Sequence, residues 1–219
     1  MKQKRDILLA FSAIVYSITL IFVMISNFTA RSQEHWRFFY AFTQQSNILV
    51  LIWLLLFAFG VFKPTKLNHF IRNKVTITSL AVYISITYFI VALVLDPVYK
   101  GTFHPVKSSS ELWLHHLTPV VMWFYYFLVK GTGEASIKKS LLSLVYPILY
   151  FGTNLIIGAV ANYADGSPAY AYGFTNPANY SNYFIFILFI LALIAVFAVF
   201  TVGLAKFKTY IDTHYHDAK

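Results

Sequence analysis

The chain contains no cysteine and very little charge: among 219 residues, only 8 are acidic and 11% are charged of either sign. Without cysteine there are no disulfides, no thiolate nucleophile and no cysteine-ligated zinc or iron–sulfur centre, while the redox compartment stays open. The scarcity of charge excludes more. A soluble domain of this length needs a polar surface, and a chain that is 58% apolar and 19% aromatic does not supply one. No connection is long enough for a separate soluble domain; the longest, residues 162–180, carries one charge, Asp165. Strand-like alternation is also missing, as are repeats and low-complexity tracts, so nothing points to a membrane barrel or a solenoid.

What is present is a pattern of long apolar runs. Six stretches, at 7–27, 38–62, 75–95, 111–129, 138–161 and 181–206, are long enough to cross a hydrocarbon core of about 30 Å at about 1.5 Å per residue. Backbone groups in lipid must be satisfied within the segment, so each is expected to be a helix. The predicted fold is therefore all-α: a single polytopic membrane domain over 1–219, built as a six-helix transmembrane bundle. Lys2, Lys4 and Arg5 precede the first run as in a signal peptide. That run is too long, and lacks a small-x-small cleavage site, so it is expected to be retained.

The basic residues orient the bundle. Of 17 Lys and Arg, all but Arg31, Arg37, Lys100 and Lys107 fall on the side that holds both termini. The positive-inside rule puts that side in the cytoplasm, and a plasma-membrane location is expected. The net charge of +9 is thereby explained by translocation bias and anionic lipid, spread over four short segments, and does not call for nucleic acid.

The second run opens unusually, with FTQQSN at 42–47. Thr43, Ser46 and Asn47 stand at i, i+3 and i+4, one helix face, about 8 Å below the outer entry near Phe38. Such a face avoids lipid. Gln44 and Gln45 point elsewhere around the helix, so they either reach for headgroups or are enclosed by protein and water. The bland reading is that these hydroxyls and amides glue helices together.

The fourth run supplies a partner at matching depth. His115 and His116, the only histidines within the six runs, lie about 6 to 8 Å below Glu111. Ionisable groups at membrane depth point to function when they face the bundle interior. Glu111, four residues before His115, can orient its ring by accepting a proton from one nitrogen. Pro119 leaves the carbonyl of His115 without its helical donor and predicts a break there that could admit water. The bland alternative is a hydrogen-bonded pair beside an ordinary proline kink.

Three motifs, FTQQSN in the second run, LHHLTP in the fourth and YAYGFTNP before the sixth, together resemble the androgen-induced gene and androgen-dependent TFPI-regulating protein family, through its bacterial six-span relatives. In animal members a threonine of the second-span motif and a histidine of the fourth-span motif act together in hydrolysing fatty acid esters of hydroxy fatty acids within the membrane. The resemblance covers nearly the whole chain in layout. It implies a lipid ester substrate and no cofactor or metal, and it puts the threonine on Thr43. The histidine falls on His115 or His116, because the animal pattern spaces histidine further from proline than LHHLTP does. Glu111 favours His115.

Chemistry fits the pair: a threonine hydroxyl needs a neighbouring base, which a neutral imidazole provides. Asn47 is the nearest candidate donor to the oxyanion, with Ser46 and Gln44 as further substrate-binding groups and Ser46 an alternative nucleophile. Other residues are weaker candidates. Tyr146, Tyr150 and Asn154 share a face of the fifth run, Gly152 and Gly158 predict close helix contacts, and the tyrosine-rich 162–180 connection reads as an interfacial loop or as a lid. Two other functional classes stay open. A metal-dependent hydrolase would need Asp96 and His104 to join the histidines, and a transporter, receptor or scaffold would leave almost no trace in sequence.

Overall fold

The computed structural model describes residues 2–30, 35–63, 67–95 and 108–216. Arg31, Lys66, Asp96, Lys100, His104, Lys107 and Lys219 lie outside the described residues. Within these, regular structure is helical apart from two isolated bridges, Asn73 with Thr132 and Asn162 with Pro168.

Helix α1 (Lys2–Thr29) is followed by a short α2 (Trp36–Tyr40), α3 (Phe42–Phe62), a short α4 (Leu67–Ile71) and α5 (Lys74–Ile90), which widens into a π-helical turn at Val91–Leu95. A helical turn at Ser109–Glu111 and a π-helical turn at Leu112–Leu117 lead into α6 (Thr118–Leu128). The short α7 (Ile137–Leu141) and a 3-10 turn at Leu142–Leu144 precede α8 (Val145–Val160), and α9 (Tyr183–Ile211) closes the bundle.

Among the described residues, five runs are long and apolar enough to cross a membrane: Lys4–Thr29, Phe42–Phe62, Lys74–Leu95, Ile137–Val160 and Tyr183–Tyr215. The expected span 38–62 divides, because Ala41 is extended (φ −71°, ψ 131°) and separates α2 from α3. The expected span 111–129 is helical but is not among the five; Glu111, His115, His116 and Pro119 make its first half polar.

The central element is α5. Its run is 61% buried, against 11% for the run containing α9, so α5 is surrounded by protein and α9 lies at the periphery. Helix α5 packs on α3, α6 and α9, while α3 pairs with α1. Val50, Leu54 and Phe57 of α3, Ile77 and Ile84 of α5, and Met122 and Tyr126 of α6 fill the core. The exposed surface is equally apolar: Phe11, Ile18 and Phe22 on α1, Leu149 and Ile156 on α8, Leu191 and Val199 on α9. Contiguous apolar surface on this scale is unstable in water and matches lipid.

One end of the bundle is closed by an ion pair. Lys208 of α9 is fully buried; its Nζ donates to the carbonyls of Tyr126 (2.8 Å) and Val129 (2.5 Å) and sits 3.0 Å from Asp212 Oδ1. These carbonyls are at the C-terminus of α6, where a helix has no N–H donors of its own to offer them. Asp212 Oδ2 in turn accepts the Gly131 N–H at 3.2 Å. Replacing Lys208 by Met takes the cationic donor away from a buried carboxylate and two carbonyls. It is expected to cost about 3–5 kcal/mol, measured as a lowered midpoint of thermal unfolding in detergent, with Lys208→Arg losing less.

Candidate active site

At the opposite end of the bundle α3 begins inside protein. The first amide hydrogens of a helix have no acceptor in their own coil, and Ala41, at the N-cap, has no side chain to offer one. Tyrosine hydroxyls from elsewhere serve instead: Phe42 N–H donates to Tyr150 Oη at 3.1 Å and Thr43 N–H to Tyr172 Oη at 3.2 Å. The next two amides, of Gln44 and Gln45, return to the Ala41 carbonyl. Capping α3 thus draws α8 and the 162–180 connection onto Thr43.

His115 reaches the same point from the π-helical turn Leu112–Leu117. Pro119 lacks an N–H, and the break expected there takes the form of this wider turn, in which Thr118 N–H reaches back to the Trp113 carbonyl. The Thr118 hydroxyl also donates to that carbonyl (2.9 Å) and pairs with Tyr16 Oη (2.8 Å), anchoring the turn to α1. Such turns recur at functional sites because they re-aim side chains. Here His115 Nε2 lies 3.2 Å from Thr43 Oγ1. His116, one residue on, faces away and packs edge-on against Tyr88 of α5 with ring centroids 5.8 Å apart. Of the two candidate histidines, His115 is the one that meets Thr43.

The remaining candidates divide by what they touch. Asn47 is fully buried and its Nδ2 donates to the carbonyls of Thr43 (2.7 Å) and Leu114 (3.0 Å). Both amide hydrogens are engaged, so the expectation of an oxyanion donor at Asn47 is corrected: it staples α3 to the turn that carries His115. Ser46 is also fully buried; its hydroxyl donates to the Thr43 carbonyl (3.0 Å) and pairs with Thr87 Oγ1 of α5 (2.8 Å), facing away from the cavities. Ser46 lines neither cavity. Gln44 Nε2 donates to Asn27 Oδ1 at 3.2 Å, and Gln45 Nε2 to the Phe39 carbonyl at 2.8 Å. Gln44 is therefore enclosed by protein, whereas Gln45 stays partly exposed. Glu111 shares the wall of one cleft with His115 and Gln44.

On α8, the face of Tyr146, Tyr150 and Asn154 holds the α2–α3 junction, with Tyr146 donating to Gln45 Oε1 and Asn154 Nδ2 to Tyr40 Oη. Gly158 serves the connection rather than a neighbouring helix, because a Cβ there would collide with the Tyr170 ring; Gly152 faces open space.

The residue that sequence reasoning missed is Tyr172. Its hydroxyl lies 3.4 Å from Thr43 Oγ1 as well as accepting the Thr43 N–H. Desolvation raises its pKa above the ordinary phenol value, against the opposing pull of its hydrogen bonds to Thr43. It is a neutral donor at physiological pH. Its ring stacks on Phe174, centroids 5.5 Å apart, and Thr175 Oγ1 donates to its carbonyl. The only signal in the sequence was a loop dense in tyrosine and nearly free of charge.

Thr43 and Tyr172 stand in the walls of two cavities of opposite character. One, of about 960 Å3, is a polar cleft bordered by Asn27, Arg37, Gln44, Ser110, Glu111 and His115. The other, of about 890 Å3, is a nearly pure hydrocarbon chamber between α5, α8 and α9, bordered by Ile86, Ile90, Ile148, Phe151, Leu193 and Phe197. A hydroxyl hydrogen-bonded to an imidazole thus sits where polar and apolar spaces meet. Among the described residues no three His, Asp or Glu side chains converge as a metal site requires. No family model, curated protein or solved structure matches the chain.

The Tyr170 ring over Gly158 seats the connection that delivers Tyr172. Gly158→Leu is expected to unseat it, seen as faster amide hydrogen exchange across residues 162–175 while the cores of α3 and α5 keep their protection.

Proposed function

We propose that the protein is a membrane hydrolase of lipid esters in which Thr43 is the nucleophile and His115 the general base, as the resemblance to the androgen-induced gene and androgen-dependent TFPI-regulating family implies. The observation that carries this reading is the 3.2 Å contact between Thr43 Oγ1 and His115 Nε2 at the junction of a polar cleft and an apolar chamber. A lipid ester has that same division. Its hydrocarbon belongs in the chamber, its polar part in the cleft, and its carbonyl at the junction.

With a proton on Nδ1, His115 Nε2 accepts the Thr43 proton as Oγ1 bonds to the acyl carbon. Glu111 stands in the wall of the same cleft. The carbonyl oxygen becomes an oxyanion, and the Tyr172 hydroxyl is the donor beside it. The tetrahedral adduct then collapses, the carbon–oxygen bond to the alcohol breaks, and the imidazolium returns its proton to that alcohol. Water from the polar cleft attacks the acyl-threonine, giving its proton to His115, and the acid leaves as Thr43 is restored. Asn47 keeps the two reacting backbones in register throughout.

The bundle is further proposed to have six spans. The run Ser109–Leu128 is the sixth, since α6 packs among α3, α5 and α9 alongside helices that qualify by themselves. The charge asymmetry supports a plasma-membrane orientation with both termini in the cytoplasm and the cleft toward the outer leaflet.

Thr43→Ala and His115→Ala are each expected to abolish ester hydrolysis by the purified protein, and His116→Ala to leave it largely intact; full turnover in either of the first two refutes the assignment. Tyr172→Phe is expected to lower kcat about 100- to 1000-fold with little change in KM, because the interaction it removes forms in the transition state.

A further inference from the structure

The chamber next to Thr43 is not sealed. On its peripheral side α8 and α9 meet at the end nearer the 162–180 connection, where Phe151 contacts Phe186 (ring centroids 6.5 Å) and Tyr180 contacts Phe186 (5.2 Å) and Phe189 (5.7 Å). They are also held at the other end, where α9 packs on α7 and the turn Leu142–Leu144. Between these closures Ile148, Ile190, Leu193 and Ile194 line the chamber and none of them is fully buried. Ile148, a chamber-lining residue of α8, is 45% exposed. We infer that a slot between the two helices opens at this level.

The solvent outside that slot is hydrocarbon, and the lining inside is hydrocarbon too. Water gains no partners along most of the chamber, and an apolar cavity of this kind stays dry. It runs along about 10 Å of α9, from Ile190 to Phe197 at helical rise. Tyr150, whose hydroxyl caps α3 beside Thr43, lies a turn and a half along α8 from Leu144. Leu144 and Phe197 therefore floor the chamber at the end remote from Tyr172.

We propose that this chamber is an acyl-chain site filled sideways from the bilayer through the α8–α9 slot, with Leu193 at its side and Phe197 at its floor setting the chain length accepted. The proposal rests on the hydrolase reading for its link to turnover, but chain binding itself requires no chemistry. An unbranched long-chain acyl group is the occupant: it is already the medium outside the slot, and one end of the chamber brings it to Thr43.

The test uses Thr43→Ala protein in lipid vesicles with a photoreactive long-chain fatty acyl ester. Saturable crosslinking to the α8 and α9 segments that line the chamber, competed by long-chain and not by short-chain esters, is expected. Leu193→Trp, which fills the chamber, should abolish that labelling. Leu191→Trp, on the lipid-facing side of the same helix, should leave it unchanged. In the otherwise wild-type chain, Leu193→Ala should shift turnover toward longer chains. Crosslinking that does not saturate, or that survives Leu193→Trp in folded protein, overturns the chain site. Saturable crosslinking in Thr43→Ala together with an inert wild-type chain upholds the chain site and overturns the hydrolase.

Discussion

A helix that starts inside apolar protein brings amide hydrogens with no acceptor of their own, and in this molecule that requirement organises the site. Helix α3 starts at Phe42 behind an alanine, so its free N–H groups must be met from outside the helix. Tyr150 and Tyr172 meet two of them. Because Tyr172 belongs to the connection before α9, satisfying the backbone of Thr43 also delivers a hydroxyl and an aromatic wall to its side chain. An unmet buried amide costs about 1–3 kcal/mol, so the arrangement is enforced by folding energetics before any demand of catalysis.

The same economy governs the partner helix. Proline at 119 forbids a regular ladder, the π-helical turn absorbs the defect, and Asn47 ties that turn to α3 through two carbonyls. Thr43 and His115 are thereby fixed by groups that are themselves buried and hydrogen-bonded. Under the proposed function, a pair held this way would forfeit little orientation entropy when substrate arrives. The two cavities that share Thr43 add what the proposed lipid chemistry would also require, a place for hydrocarbon next to a place for water.

Much of the architecture was legible in the sequence because the bilayer imposes length and polarity on each segment separately. Thr43 and His115 were legible for a related reason: their distances from the ends of their runs gave them a common depth. What stayed hidden depends on rotation and on contacts between elements. The choice between His115 and His116 turns on a π-helical turn that no local pattern displayed. Ser46 and Asn47 share a face with Thr43 in the sequence, yet the packing of α5 and of the Leu112–Leu117 turn claims their hydrogen bonds. Tyr172 was one tyrosine among several in a connection, and Lys208 looked like an ordinary terminal charge until α6 supplied carbonyls for it.

The central claim is that Thr43 becomes acylated with help from His115. Its most direct measurement is mass spectrometry of the purified protein after incubation with an ester-mimicking covalent inhibitor, followed by peptide mapping. The account predicts a single adduct on Thr43 that disappears when His115 is replaced by alanine. An adduct on Ser46 or elsewhere, or one on Thr43 that forms equally well without His115, contradicts it.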